Sequence, residues 1–531
     1  MNLLLAVLLA AAAAEDKSPV LVLPLSGTNA RSLALLSQER ATALVAAKGR
    51  LPFFHLKQAA AVGASEGWDV YAVADARTAR SFGDALGATH VAFGVLSTDA
   101  KGATVLEVQV SSAGKPAAAG KKVTLPKGLA ASAEAAAVAL ANALEVATGK
   151  KGDFKAEAAT AKDAALEDYA KCLEAVAAQP IGVENPAVLD EAGLNQAIAS
   201  GEAAVAGGAG DGAKAALGLA QAIAGFDEKA AATLGGIPMG PKAPTLAWVG
   251  RFWLVTRYKS DDEGLGVLKE ALKQNPNDLL LRGYLGELLQ VLSRHEEALV
   301  AFADLSRLAP KDPFAQVRAA KSIARQGKHD EAVAKTQGAL VLSPNSRALR
   351  MQLGSRFIDA QKWDDAATVL ALLASEAPTG EHHLRLGYAL LKKGDSAKAE
   401  ESLKKALGLA SGPREWRTRA RANEDLALLA VKRGQKEEAM RFLAAAQKEG
   451  YRPRQFAAEL QPLARELEKR ALQGPKDGGS GLALVPKLKD ASPFTVAPDG
   501  EVDLAAARPK PATGLQQFLG GDPRSPFNAK P

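Results

Sequence analysis

The stretch PNDLLLRGYLGELLQVLSRHEEALVAFADLSRLAP, Pro276 to Pro310, decides the fold. Its two bounding prolines recur at Pro344 and Pro378, so four prolines keep a strict spacing of 34 residues, a register that unrelated loops do not hold. Small residues move in step with them. Ala298, Ala332 and Ala366 precede the successive prolines, and Leu285-Gly286, Ala319-Ala320, Leu353-Gly354 and Leu386-Gly387 occupy matching positions earlier in each unit, with Ala399 and Ala439 continuing at looser spacing. A Gly or Ala where two antiparallel helices cross lets their backbones approach. Larger residues such as Phe302, Leu370 and Leu403 fill the space between hairpins, and the proline ends the second helix so that the chain turns into the next unit.

This pattern resembles the tetratricopeptide repeat, and Trp248 stands near the front of the first clear unit, where that family often places Trp. Counting from Ala243 to about Gly450 gives six units, imperfect at both ends, and places a TPR array over residues 246–450. Residues 150–245 are Ala-rich with breaks at Gly207, Gly208, Gly210 and Gly212. Leu217-Gly218, followed by Ala230 and Leu234, carries a weakened form of the repeat, so this region is read as degenerate helical hairpins. After the array, Pro453 to Leu472 reads as an amphipathic helix capping its end (451–473). Residues 474–531, rich in Pro, Gly, Lys, Asp and Ala, are expected to be disordered, with two short apolar islands at Ala491–Val496 and Leu515–Leu519.

Ahead of the repeats, Val20 to Leu25 reads as a strand and Arg31 to Lys48 as a helix. Leu51 to Leu56 gives a second strand and Asp75 to Leu86 a second helix. Alternating His90–Leu96 and Val105–Val110, then Lys122–Leu125, give further strands before a helix over Ala130–Val146. Residues 18–149 are therefore expected to form a small α/β domain with a mixed sheet. Val22-Leu23-Pro24-Leu25, Leu86-Gly87-Ala88, His90-Val91-Ala92-Phe93-Gly94 and Val105 to Val110 before Gly114 resemble the N-terminal domain of TolB and its relatives in the bacterial envelope. That resemblance implies an assembly domain with no catalytic residues to carry over. The fold class expected is mainly α, a TPR-like α-solenoid behind a small α/β domain.

Leu3 to Ala14 is an apolar run ending in small residues and followed by Glu15, Asp16 and Lys17, the pattern of a secretory signal peptide, although the segment before it holds no Lys or Arg. No later apolar run reaches eighteen residues, which points to an exported, periplasmic or secreted protein that is not transmembrane. The single cysteine, Cys172, excludes an intrachain disulfide and reads as a buried thiol. A net charge of +7 over 531 residues, with no basic block, makes nucleic acid an unlikely partner.

Catalytic motifs are lacking. Gly63-Ala64-Ser65-Glu66-Gly67 matches a nucleophile elbow, but the sequence around it reads as a turn before Trp68 rather than strand-Ser-helix, and only His90 follows within the domain. His382 and His383 are adjacent, about 100° apart on a helix, and do not share one metal. No cofactor or metal is expected. Binding residues are more legible. The repeat register places Glu287, Gln290, Lys321, Arg325, Ser355, Asp359, Tyr388, Lys392 and Lys432 on the concave face of the array, a groove with a basic bias suited to an acidic peptide. No Asn stands in the slots that carboxylate-clamp members of the family pair with lysine. Arg414, Arg417, Arg419 and Arg421 around Trp416 form either an anion-binding patch or an ion-pair network with nearby acids. The expected function is a periplasmic scaffold that binds other proteins, a peptide or helix in the repeat groove and an envelope component through the N-terminal domain. The alternative is an envelope assembly factor whose N-terminal domain binds glycan or lipid while the repeats recruit.

Overall fold

The computed structural model describes residues 18–27, 31–115, 120–157, 161–177, 191–412, 415–451 and 456–473. The expected signal peptide and C-terminal tail lie outside them. Two compact units result, one ending at Leu349 and the other beginning at Arg350.

The first unit opens with a mixed sheet. β1 (Val20–Val22) runs parallel to β3 (Phe53–Phe54) and β4 (His90–Thr98); β4 pairs antiparallel with β5 (Thr104–Ser112), and β5 with β6 (Lys121–Thr124). The order is β3-β1-β4-β5-β6, with β2 (Ser26–Gly27) pairing beside β4. The expected second strand, residues 51–56, shrinks to the two residues of β3. Four helices accompany the sheet: α1 (Arg31–Lys48), α2 (Leu56–Glu66), α3 (Ala76–Leu86) and α4 (Leu129–Ala147). Asp75 caps α3 by accepting from the amides of Arg77 and Thr78. The reading of residues 63–67 as a turn is corrected: Gly63 to Glu66 are the last turn of α2, and Gly67 closes it in a left-handed conformation at φ 75°. Ser65 Oγ donates to the Val62 carbonyl within that helix, so no elbow exists. A second correction concerns α4. It is 19 residues long with mean hydropathy 1.4, long and apolar enough to cross a membrane, yet its Ala136, Ala137, Leu140, Ala141 and Leu144 are buried and it packs on α1, β4 and β5.

Helical hairpins follow: α5 (Asp163–Ala177), α6 (Glu191–Ala206), α7 (Asp211–Ala224), α8 (Asp227–Gly235), α9 (Thr245–Tyr258), α10 (Asp261–Gln274), α11 (Leu279–Val291), α12 (His295–Leu308), α13 (Pro313–Arg325) and α14 (His329–Leu342). Cys172 is a buried free thiol of α5. The small-residue rule is visible at Gly286: a Cβ there would lie 2.3 Å from Phe302 of the next helix. Gly218 meets Leu234 in the same way, also sixteen residues on, which puts the repeat's crossing geometry into α7 and α8. The second unit takes most of α15 (Arg347–Asp359), then α16 (Trp363–Glu376), α17 (Gly380–Lys393), α18 (Ser396–Leu409), α19 (Trp416–Lys432), α20 (Lys436–Lys448) and α21 (Gln461–Gln473). Gly354 faces Leu370 and Gly387 faces Leu403 at the same offset, while Leu460 and Ala464 join Ala439 and Leu443 in the terminal core.

Within the first unit the α/β domain is fastened to the repeats rather than tethered, and one apolar core runs without a break from Val20 to Ala319. The fastening uses one repeat position three times, 34 residues apart, just after each proline. At Asp278, fully buried, Oδ1 accepts from the amides of Leu280 and Leu281 and caps α11, while Oδ2 accepts from Thr245 Oγ1 at 2.7 Å and contacts His55 Nε2 at 3.1 Å. Beside it the Phe53 amide donates to the Asn277 carbonyl, and Asn277 Nδ2 donates to Gly49 O at 2.7 Å. At Asp312, the cap of α13, Gly87 comes so close that a Cβ would lie 2.2 Å from the Lys311 carbonyl carbon and 2.3 Å from the Asp312 nitrogen. At Ser346, the buried Glu66 carboxylate accepts from Ser346 Oγ at 2.7 Å and from the amides of Arg347 and Ala348, capping the start of α15 from outside the repeat. Burial pushes Asp278 toward the neutral form, but His55 and the hydrogen bonds hold its carboxyl below the usual range.

Glu66→Ala strands two amides and a hydroxyl and is expected to cost about 1–3 kcal/mol. Gly87→Ala, clashing with backbone at φ 79°, should loosen the same junction. Both are checked by thermal melting together with protease cleavage between the α/β domain and the repeats, and unchanged melting and cleavage in both variants would refute the fastening.

Candidate partner-binding face

The nine residues assigned to the groove sit on the first helix of successive hairpins, and the structure sorts them into engaged and available groups. In the first unit Glu287 accepts from Arg318 Nε at 2.9 Å, and Gln290 donates through Nε2 to Arg318 O and Ser322 Oγ, each at 2.7 Å, so both residues bind α11 to α13. Lys321 is half-buried on α13, and Arg325 ends that helix exposed, with no carboxylate paired to it among the described residues.

In the second unit Ser355 accepts from Arg385 Nη1 at 2.8 Å, and Asp359 pairs with Arg356 at 2.9 Å. Tyr388 stands edge-on to Trp363, ring centroids 6.3 Å apart, with Lys392 Nζ 5.4 Å from its ring centre. Lys392 and Lys432 are exposed, and no carboxylate of the described residues pairs with either. Arg385 and Trp363, absent from the sequence-based set, thus position two of its members. Arg385 lies 30 residues beyond Ser355, close to one repeat period, which is the signal that locates it.

Of the arginine cluster, Arg414 lies outside the described residues. Arg417 stacks on Trp416 at 5.1 Å. Arg419 forks onto Glu449 at 2.6 and 2.7 Å and also reaches the carbonyls of Ala410 and Gly412, tying α19 to the end of α20. Burial lowers the Arg421 guanidinium, but Tyr451 and the nearby Glu424 outweigh it and hold it above its ordinary value. His382 Nδ1 lies 2.6 Å from the Ala377 carbonyl and His383 Nδ1 3.4 Å from Ser402 Oγ, so each ring meets a different neighbour. Among the described residues no cluster of three or more potential metal ligands occurs.

Asp425 is the unforeseen member of this region. It is buried on α19, and burial, reinforced by Glu424 and opposed by Arg421 and Lys392, pushes its carboxyl up to about 8. A carboxyl whose folded value exceeds its usual 3.8 favours the folded state most when protonated; that contribution is complete below about pH 4 and is lost as pH rises through 8. Asp425→Asn, neutral throughout, should therefore melt higher than the parent at pH 8, by about 3 °C or more, with the gap closing toward pH 4. A gap that stays constant from pH 4 to pH 8 refutes the assignment.

No curated protein matches this chain. Among solved structures it is similar to MamA from Desulfovibrio magneticus RS-1, at 19% identity over 32% of this chain and 94% of that one, TM-score 0.28. It is similar also to a tetratricopeptide repeat protein from Parabacteroides merdae ATCC 43184, at 15% identity over 57% and 100% of the two chains, TM-score 0.35. A thermophilic TPR protein of Thermus thermophilus is similar at 23% identity over 35% and 94%, TM-score 0.27. Residues 351–413, the helices α15 to α18 that carry the Gly354–Leu370 and Gly387–Leu403 crossings, match the tetratricopeptide repeat family.

Proposed function

We propose that this protein is an exported scaffold of the bacterial cell envelope whose repeats hold an acidic segment of a partner protein. The observation that carries the binding reading is the pair of exposed lysines, Lys392 and Lys432, neither in a direct ion pair with a carboxylate of the described residues although Lys392 acts on the buried Asp425, and accompanied by the Tyr388 ring on the first-helix face of the second unit. Cations held on rigid helices beside an aromatic surface suit carboxylates presented by a peptide or helix, through charge-assisted hydrogen bonds. Arg325 offers the same chemistry in the first unit. Export rests on the apolar run Leu3–Ala14, and the envelope setting rests on the resemblance of residues 18–149 to TolB N-terminal domains. In this reading the α/β domain docks on an envelope component, and its fastening at Asp278, Asp312 and Ser346 holds it at a set position on the first repeats.

Crosslinking in the native cell followed by mass spectrometry of the captured protein tests the proposal. The double variant Lys392→Glu, Lys432→Glu should lower capture about tenfold or more, and rising salt should weaken it in the parent. Capture unaffected by both changes sinks the acidic-partner reading, and recovery of the protein in the cytoplasmic fraction sinks the export reading.

A further inference from the structure

Residues 151–157, between α4 and α5, form an irregular strap across the seam of α1 and α4. The strap runs back along α4: the Lys150 amide donates to the Glu145 carbonyl, Phe154 meets Asn142, and the Glu157 amide donates to Glu134 Oε1 at 3.1 Å. Asn142 and Glu134 are about 12 Å apart along their helix, and the chain from Phe154 to Glu157 reaches about 10 Å only when stretched. The strap is therefore extended. A side chain holds its backbone, since Asn142 Oδ1 accepts from the Phe154 amide at 2.9 Å and Asn142 Nδ2 donates to the Phe154 carbonyl at 3.1 Å. That amide stands where a neighbouring strand would, and it grips the main chain of whatever extended segment lies there. Side chains are read by the flanking cations. Lys48 pairs with Asp153 and lies 3.7 Å from the Phe154 ring centre, and Arg40 pairs with Glu157 at 2.8 Å. At Gly152 an added Cβ would lie 2.9 Å from the Asn142 carbonyl oxygen, so the site asks for glycine there.

We propose that this seam binds an extended segment of a partner protein with the pattern Gly-acidic-aromatic-x-x-acidic, and that residues 151–157 are its resident competitor. Two features point beyond the resident. It is lightly held: Lys151, Asp153, Lys155, Ala156 and Glu157 are exposed and Phe154 is a half-buried anchor, so the strap opens far more readily than the core beneath it. It is also joined to α4 through the turn at Thr148 to Lys150, which makes it double back and leaves Val146, beside Gly152, 64% exposed. A separate segment has no such turn to make. It continues past the end of α4 and covers Val146, an apolar contact that favours the partner over the resident. Tethered this closely, the resident acts at an effective concentration in the millimolar range and masks the seam until a partner displaces it. The site uses neither Lys392 nor Lys432, so it stands apart from the binding reading of the repeats.

The test titrates the full chain with a fluorescein-labelled peptide, Lys-Gly-Asp-Phe-Lys-Ala-Glu, the strap's own sequence, and follows fluorescence anisotropy. Phe154→Ala, which removes the resident's anchor, should bind the peptide about tenfold tighter than the parent or more. The double variant Asp153→Ala, Glu157→Ala, which loosens the resident and leaves Phe154 in place, should move the same way. Adding Asn142→Ala to Phe154→Ala should weaken binding by about tenfold. Two leucines ahead of the peptide should tighten it about threefold, a gain that Val146→Ser erases. Absence of saturable binding to both opened variants, equal binding by the parent, indifference to Asn142→Ala, or no gain from the leucines each overturn the proposal.

Discussion

Asp278 does three jobs with two oxygens. It caps α11, anchors the first residue of α9 and receives the His55 side chain of the α/β domain. A buried carboxylate is tolerable only when its lone pairs are filled, and here the four filling partners come from three different elements. The start of one repeat, the start of the preceding one and the edge of the sheet are therefore positioned by the same atoms. Loss of any partner would leave the other two holding an undersatisfied charge, which makes the arrangement cooperative rather than additive.

The same economy recurs elsewhere in the first unit. Asp163, at the head of α5, accepts from the amides of Leu129 and Ala130 and caps α4 from outside, as Glu66 caps α15. The starts of α4 and α15 are thus completed by side chains from other elements, so at these two helices secondary structure and tertiary packing are mutually dependent. Glu145 shows a related solution: buried at 1% exposure, it is met by Lys48 at 3.2 Å and by Arg50.

The repeat array was legible because its constraint is periodic. Proline spacing and the Gly–bulky pairs state the same crossing again and again, and Gly286 with Phe302 is one instance of a rule read along the chain. The fastening between domain and repeats was not legible, since His55 and Asp278 are 223 positions apart and Glu66 and Ser346 are 280 apart, with no local pattern joining them. Helix α2 was missed because Gly63, Ser65 and Gly67 are turn residues by propensity; in the fold Gly63 is there to let Trp68 and Phe82 come close. On the binding face, register located the helices but not the allegiance of each side chain. Glu287 and Ser355 look free in sequence until Arg318 and Arg385 arrive from the next repeat.

A domain that grips three consecutive repeats at one recurring position behaves as a ruler laid along them. Between Pro276 and Pro344 a gained or lost hairpin would shift every later mark by one period, leaving Gly87 or Glu66 opposite the wrong turn. Duplication and deletion, the ordinary way such arrays change length, are thus barred there by geometry. The last mark falls at Ser346, so variation in repeat number among descendants of this architecture should accumulate after it.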